Sequence, residues 1–456
     1  MGKLKKLAGY GVGDFGLNIY WHTISIWLVY WYTNIVGIPP ETAGILWLIG
    51  TLWDAVSDPI VAGASERVKT RFGTYRPFLL YAGFGLGLAF ALLFWVPPVE
   101  GTGLLVSLVG IAILFRTSYT LVAIPYAAMS ARLTYDSVER TELSGVRMLF
   151  AFSGLLVVSL LLPPLVRWFS GGPVYTNNGF QAVIIVGACV ATTAILLCFL
   201  FTRELPVPDS AATANKPVRV SLLRRFRENW ALSVLLVIIF LQSGANASLM
   251  ISMVYFIDAN GGLFADKEVV MTAFAVATMV GVMFWTLFIR RTGKKLSWCI
   301  ASVCIATSGL HMLFFGPAIF MGVPLQVVFF GFFLGAFAVL LWSFIPDTVE
   351  YGQYKSGQRS EGLVFGSVLV VQKISGGVMG VLVTQVLSRI GYDPSQVEQG
   401  AEVGRSLIVF MAISPSALLA LSIIPVCIFP LNRHIHFDIV VRLSGGEDRT
   451  AKEDPA

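Results

Sequence analysis

The chain has 456 residues, 56% of them hydrophobic and only 13% charged, where a soluble domain has roughly a quarter charged. Its mean hydropathy of +0.76 is spread over apolar runs that recur from Ile24 to Ile428, which excludes both a cytosolic enzyme and a soluble domain with a single anchor. The net charge of +6 comes from basic connections and implies no nucleic acid; at about 20 residues per span plus a connection, the length holds about twelve membrane helices.

Hydrophobic runs set against Gly, Pro and charged punctuation predict helices over 9–36, 41–64, 77–97, 103–131, 144–168, 180–202, 229–257, 268–290, 297–316, 323–350, 361–389 and 404–430. In the first, the basic start Met1 to Lys6 leads into apolar sequence, but Asp14 and Asn18 interrupt it and no small-residue cleavage site follows, so a retained helix is expected. Asp14, Asn18 and His22 are spaced four apart and line one stripe. Asn18 and His22 are candidates for hydrogen bonds to a polyol, with Tyr20 or Trp21 offering a ring face. An ionisable group inside a span costs about 2.5–3.5 kcal/mol at the bilayer centre unless it is paired or wetted, so the few present carry the argument.

Span 2 holds Asp54, Ser57 and Asp58 in Trp53-Asp54-Ala55-Val56-Ser57-Asp58-Pro59, which projects both carboxylates and the hydroxyl toward one region of the helix. Two close carboxylates repel when both are ionised, and a bound cation or a shared proton relieves the repulsion. Either makes the pair a coupling-ion site. If the ion is Na⁺, which takes oxygen ligands, Asp54 and Asp58 are its metal ligands and Thr120 of span 4 can add a hydroxyl. In span 3, Gly83, Gly85 and Gly87 are expected to permit close helix approach, as are Gly376 and Gly380 of span 11.

Span 4 places Arg116 about 20 Å below its start at 1.5 Å per residue, near mid-membrane. No acidic residue of spans 4 or 5 is an evident partner, so Arg116 either pairs across a cavity or binds an anionic group of a substrate. Tyr119, one turn away, is a further cavity candidate. Arg147 near the start of span 5 and Lys373 in the middle of span 11 are the other cations at depth, one from each half of the chain. Both suit hydrogen bonding to sugar hydroxyls or pairing with Asp54 and Asp58.

The polar segment from Arg203 to Glu228, with six Lys/Arg, divides the chain into an N-terminal six-helix bundle (1–202), a cytoplasmic linker (203–228), a C-terminal six-helix bundle (229–430) and a cytoplasmic tail (431–456). The connections after spans 2 and 8 echo each other, both short, basic and glycine-containing, at corresponding places in the two halves. Two six-helix halves around a midplane site is the architecture of major facilitator transporters. Between spans 10 and 11, Asp347, Glu350, Lys355 and Arg359 form alternating charge at a helix end, the pattern of a breakable inner gate built on Asp347, Glu350 and Arg359.

With a cytoplasmic N-terminus, only Arg167, Lys267, Arg389 and Arg405 fall outside and Arg116, Arg147 and Lys373 within spans, leaving 25 of the 32 Lys/Arg in cytoplasmic loops and tails. The positive-inside rule then puts both termini in the cytoplasm. The five cysteines lie in apolar runs without metal-ligand spacing. Walker A, HExxH and GxSxG patterns are absent, so neither ATP coupling nor the commoner hydrolytic chemistry is expected, and no cofactor is required beyond a coupling ion.

Several stretches together resemble the glycoside-pentoside-hexuronide:cation symporter family of the major facilitator superfamily: Tyr10-Gly11-Val12-Gly13-Asp14 with Asn18, the Trp53 to Pro59 segment, Thr70-Arg71-Phe72-Gly73-Thr74-Tyr75-Arg76-Pro77, Ile124-Pro125-Tyr126, and Asp347 through Gly362 with Lys373. They run from span 1 to span 11. The resemblance implies that Asp54, Asp58, Thr120 and Ser57 form the cation site and that Arg147 and Lys373, with Tyr119 nearby, serve the sugar. It also implies a bacterial inner membrane. Where melibiose permease grips its sugar with two carboxylates, the positions here are Asn18 and Ala123, and the tryptophan beside the second is Ala127, so a galactoside of that kind is not expected. Fewer carboxylates and an added Arg116 make an anionic sugar, such as a uronide or a sulfonated sugar, one expectation; a neutral glucoside or xyloside held by Asn18, His22 and Lys373 is the other.

The expected function is therefore cation-coupled sugar or glycoside symport by alternating access, with Na⁺, Li⁺ and H⁺ all open. A lysolipid carrier of the same fold would differ in having a laterally open apolar cleft. An intramembrane enzyme or receptor would need a catalytic cluster or a sizeable soluble domain, and the sequence shows neither.

Overall fold

A computed structural model describes residues 3–443 apart from 66, 69, 135–136, 206–228, 358–360, 395 and 397–398. Twelve long helices make up the described body. Helix α1 (Lys3–Thr23) runs on through two π-helical turns, Ile24–Leu28 and Trp31–Ile35. It is followed by α2 (Pro40–Ser65), α3 (Arg76–Leu93), α4 (Gly101–Leu133), α5 (Ser137–Ser170) and α6 (Asn177–Phe201). The second half comprises α7 (Trp230–Ala259), α8 (Lys267–Thr292), α9 (Lys294–Phe315), α10 (Leu325–Ser356), α11 (Glu361–Arg389) and α12 (Ala401–Ile428). Eleven of these are long and apolar enough to cross a membrane; α1, with Lys3, Lys5, Lys6, Asp14, Asn18 and His22 along its length, is the more polar exception. Large apolar side chains such as Leu88 and Val106 are two-thirds exposed on the outer surface, where lipid is the solvent.

Each half repeats one packing scheme. In the first, α1 packs on α5 and α6, α3 on α4 and α6, and α2 on α4; six helices later, α7 packs on α11 and α12, α9 on α10 and α12, and α8 on α10. The halves meet where α2 packs on α11 and α5 on α8. Small residues set these distances. A Cβ on Gly380 would lie 2.2 Å from Trp47 Cδ1, and one on Gly44 2.0 Å from Thr384 Oγ1, so α2 and α11 approach as closely as glycine allows. Gly376, by contrast, has only Ala247 Cβ at 4.0 Å; its contribution is its carbonyl, which accepts a hydrogen bond from Trp47 Nε1 at 3.1 Å. Gly83 and Gly87 face Ile195 and Thr192 of α6, whereas Gly85 faces open space.

Three of the stretches that carry the family resemblance, those around Tyr10, Gly73 and Tyr126, are joints of the first half. The Tyr10 and Tyr126 rings stack with centroids 4.5 Å apart, and each hydroxyl donates to the other residue's carbonyl, at 3.2 and 2.8 Å. In the turn after α2, Gly73 has φ +112°, a conformation that L side chains rarely adopt. Glu204 then accepts the backbone N–H groups of Thr74, Tyr75 and Arg76 at 2.7–2.9 Å and so caps the start of α3.

On the face opposite the chain termini the halves are tied together. Thr33 Oγ1 bonds Tyr255 Oη at 2.8 Å, and Asn34 Nδ2 donates to Tyr392 Oη at 2.7 Å. Ser388 donates to Glu41, and Arg167 pairs with Asp266 at 3.3 Å and with Glu268. Lys267 pairs with Asp258, donates to Tyr30 Oη at 3.3 Å and lies 4.4 Å from the Tyr175 ring centroid.

Two elements differ from the sequence expectation. Helix α10 does not stop near 350 but continues through Pro346 to Ser356, ending where Gly357 adopts φ 70° and its N–H bonds the Gln353 carbonyl at 2.8 Å. The segment after α12, expected as a polar tail, contains a further helix, α13 (Arg433–Leu443), which buries Ile439 and leaves Ile435 and Phe437 exposed.

Candidate functional site

At the centre of the molecule lie four charged groups from three helices. Arg116 of α4 donates to Asp54 Oδ2 of α2 at 2.6 Å, and Thr120 Oγ1 donates to Asp58 Oδ1 at 2.8 Å. Partner and partner are 62 residues apart in both pairs, because α2 and α4 run parallel and in register. Lys373 reaches across from α11 of the other half, pairs with Asp58 Oδ2 and lies 3.5 Å from Asp54 Oδ2. Asp54, Thr120 and Arg116 are at most 3% exposed. Burial of this kind requires pairing, since a lone charge there would cost several kcal/mol or more.

Oxygen atoms converge on the same place. Asp54 Oδ1 is buried and has no hydrogen-bond partner among the described residues. Ser57 Oγ, also buried, makes a long 3.5 Å contact with the Asp54 carbonyl. Carboxylate and hydroxyl oxygens are a donor set that suits a hard cation.

A second pair stands beside the first. Arg147 Nε of α5 donates to Asp14 Oδ1 of α1 at 3.2 Å, and its guanidinium lies 5.7 Å from the Tyr126 ring centroid. Three carboxylates (Asp14, Asp54, Asp58) thus face three basic groups (Arg116, Arg147, Lys373). Tyr119 lies within electrostatic range of Asp14, Asp54, Arg147 and Asp58, and its ring is 5.9 Å from that of Trp21. The polar stripe of α1 is less uniform. Asn18 turns its amide to the Asp14 carbonyl at 2.8 Å and packs under Gly154 of α5; half-buried His22 makes no hydrogen bond among the described residues.

The charged end of α10 finds its partners within the second half. Asp347 and Glu350 stand on the helix: Lys294 of α9 pairs with Asp347 Oδ2 at 2.6 Å, and His436 of α13 bonds Glu350 Oε2 at 2.5 Å with Asp347 Oδ1 at 3.5 Å. These partners all belong to the second half. Arg359, the third member of the expected gate, lies outside the described residues.

Sequence reasoning missed four contributors. Trp47 holds its ring 5.1 Å from the Arg116 guanidinium; it precedes Asp54 by two helical turns, a spacing that places both on one face. Asp14 is the partner of Arg147, and Lys294 and His436 are the partners of Asp347 and Glu350. The partner of Arg116 was accessible by depth: Asp54 and Arg116 each lie thirteen residues past the predicted starts of parallel spans, at 41 and 103.

The family model described as MFS/sugar transport protein matches residues 9–433. An uncharacterized symporter of Bacillus subtilis, YnaJ, is 26% identical over 441 residues, covering 96% of this chain and 94% of that protein. The glucuronide carrier protein homolog of Escherichia coli is 25% identical over 443 residues, covering 96% and 95%. Among solved structures, the inward open xylose transporter XylE from E. coli aligns with a TM-score of 0.64 at 12% identity, over 94% of this chain and 96% of that one, a likeness of fold alone. With two matching six-helix halves closed around a buried charged centre, the chain belongs to the MFS/sugar transport protein family and is a multi-pass membrane transporter, not an enzyme.

Proposed function

We propose that the chain is a symporter that moves a sugar or glycoside together with a monovalent cation, Na⁺ or H⁺, by alternating access across a bacterial inner membrane, with both termini cytoplasmic. The observation that carries this reading is Lys373: a cation from one half resting on the carboxylate pair of the other, at the level of the polar residues of α1, α4 and α5. The cation site comprises Asp58, Asp54, Thr120 and Ser57. The substrate site comprises Asn18, His22, Tyr119, Arg147 and Lys373, with Trp21 beside Tyr119.

Coupling follows from sharing. While Lys373 occupies Asp58, the coupling cation has no uncompensated carboxylate to bind. A substrate that draws Lys373 into its own hydrogen bonds leaves Asp58 bare, and the cation then binds with gain, which is a positive coupling free energy between the two sites. A uronide carboxylate or a sulfonate competes for Lys373 more strongly than hydroxyls do, because a charge-assisted hydrogen bond is roughly twice as strong as a neutral one. Arg116, engaged by Asp54 and Trp47, serves the cation side of the site. The ties between the halves on the face opposite the termini make this a state closed toward the periplasm. The Asp347 and Glu350 network joins α9, α10 and α13, so it travels with the second half as a unit.

Uptake of labelled neutral and anionic sugars into vesicles, with and without Na⁺ or H⁺ gradients, tests the reading. Gradient-stimulated uptake is expected, and Lys373→Gln should remove the stimulation while leaving slow downhill entry. A protein that moved none of these sugars under either gradient, but flipped lysolipids, would sink it. The first half does carry an apolar recess of about 550 Å³ on its outer surface beside Val12, Phe15 and Phe150. That recess opens to lipid on one half and not between the halves, as an amphiphile pathway would require.

A further inference from the structure

We propose that the groove between α11 and α12 is a binding site for one anionic phospholipid of the leaflet on the face opposite the chain termini, with the lipid phosphate on Arg405 and an acyl chain in the groove. The inference is independent of the symport reading above, since it concerns the lipid-facing side of the second half and not the charged centre.

The groove follows from how the second half is packed. Helices α11 and α12 each pack on α7 and hardly on each other, so a furrow of about 460 Å³ is left between them. Its apolar walls are Val386 and Ile390 of α11 and Val409, Phe410 and Ile413 of α12, and Ile413 is 46% exposed. Arg405, Val409 and Ile413 recur at intervals of four, which sets them along one face of α12. At the deep end the polar group is Ser414, already bonded to Ser248 of α7 at 2.5 Å. Below the rim the groove therefore suits hydrocarbon.

The rim is different. Arg405 and Ser406 lie about one turn inside the start of α12 at Ala401, beside Ile390 just past the end of α11. Arg405 is exposed, and no carboxylate pairs with it among the described residues. A guanidinium binds a phosphate through two parallel N–H···O bonds, and the Ser406 hydroxyl is a further donor next to it. From Arg405 to Ser414 the groove runs about 14 Å at 1.5 Å per residue, against about 15 Å for half the hydrocarbon core of a bilayer. A cation at headgroup level above an apolar furrow one leaflet deep fits a phospholipid and not a free phosphate, which would leave the furrow unused. An anionic headgroup is favoured because the ammonium of a zwitterionic one offsets the attraction of the phosphate to Arg405. The first half supplies an internal comparison. Its recess at α1, α5 and α6 has Phe15, Phe150 and Leu197 in its wall and no charged residue, so a chain lodged there is held without regard to headgroup.

Native mass spectrometry of the purified full-length protein, equilibrated in mixed micelles with equal phosphatidylglycerol and phosphatidylethanolamine, counts the lipids that stay bound. Wild type is expected to retain one phosphatidylglycerol with about fivefold preference, the factor that one basic residue near an anionic surface supplies. Arg405→Gln should bring the two lipids to parity. Ile413→Trp, which fills the furrow and keeps Arg405, should also lose the preferred lipid. Both positions are exposed, so both variants keep the fold. Wild type without a headgroup preference, or a preference that survives Arg405→Gln, overturns the proposal. A preference that survives Ile413→Trp places the headgroup on the rim with the furrow empty, and overturns it as well. So does a thermal midpoint that inorganic phosphate raises as far as phosphatidylglycerol does, which would make the site one for a free anion. A wild type that carries a second copy of the chain in place of lipid, in a dimer that Ile413→Trp dissociates, would give the groove to self-association instead.

Discussion

Asp54 and Arg116 illustrate why a buried charge is best understood through its partner. Both are nearly sealed from solvent and 2.6 Å apart, so the cost of burying each is offset by the other. Asp54→Asn leaves Arg116 as an uncompensated cation, and breaking a buried pair in this way costs about 3–5 kcal/mol. The expected outcome is a marked fall in the thermal midpoint of the purified protein, with most of the loss recovered in the double variant Asp54→Asn, Arg116→Gln, which removes the pair as a neutral unit. A double variant no more stable than the single one would mean that the two side chains are not energetically coupled. Arg116→Gln alone has the opposite signature: its midpoint should rise as the coupling cation is added, because a ligand that binds only the folded state stabilises it by mass action.

At the scale of elements, the crossing of α2 and α11 depends on particular glycines. Gly380→Ala would push a Cβ to within 2.2 Å of Trp47 Cδ1, a bulky ring that also holds Arg116, and overpacking of this kind costs about 1–3 kcal/mol. Gly376→Ala, one turn away, meets nothing closer than 4.0 Å. We therefore expect transport to fall several-fold in the first variant and to persist in the second; equal behaviour would show that the close approach is dispensable. The end of α10 makes a related point. The alternation of charge in Asp347 to Arg359 shows that something pairs there, yet Lys294 and His436 are distant in sequence, and only the docking of α9 and α13 supplies them.

For the whole molecule, the state observed is the one in which the face opposite the termini is closed. Lys267 is a charged element of that closure, paired with Asp258 of its own half and set against Tyr30 and Tyr175 of the other. In a protein that interconverts between two states, about 1.4 kcal/mol removed from one of them shifts the populations about tenfold. Lys267→Met combined with Arg167→Ala removes the Arg167 ion pairs and the Lys267 contacts with Tyr30 and Tyr175 from this state, so spin labels placed on the outer ends of α5 and α8 should report a population at longer distance. An unchanged distance distribution would assign the closure to the α2 and α11 packing instead.

The sequence by itself determined the solvent, the number of spans, the division into two halves and the residues of interest, because each rests on a cost paid locally. Apolar length is needed to cross a bilayer, basic residues collect in connections, and every ionisable group within a span needs a reason to be there. Thr120, Asp58 and Lys373 were each legible in this way as chemistry waiting for a partner. Pairing itself was decided by tertiary structure, since it depends on the register and distance between helices far apart in the chain. The parallel alignment of α2 and α4 gave Asp54 to Arg116 and Asp58 to Thr120, the α2 and α11 crossing brought Lys373 across the interface, and α1 against α5 gave Asp14 to Arg147. A side chain's cost of burial is written in its own position, but what offsets that cost is set by where another helix comes to lie.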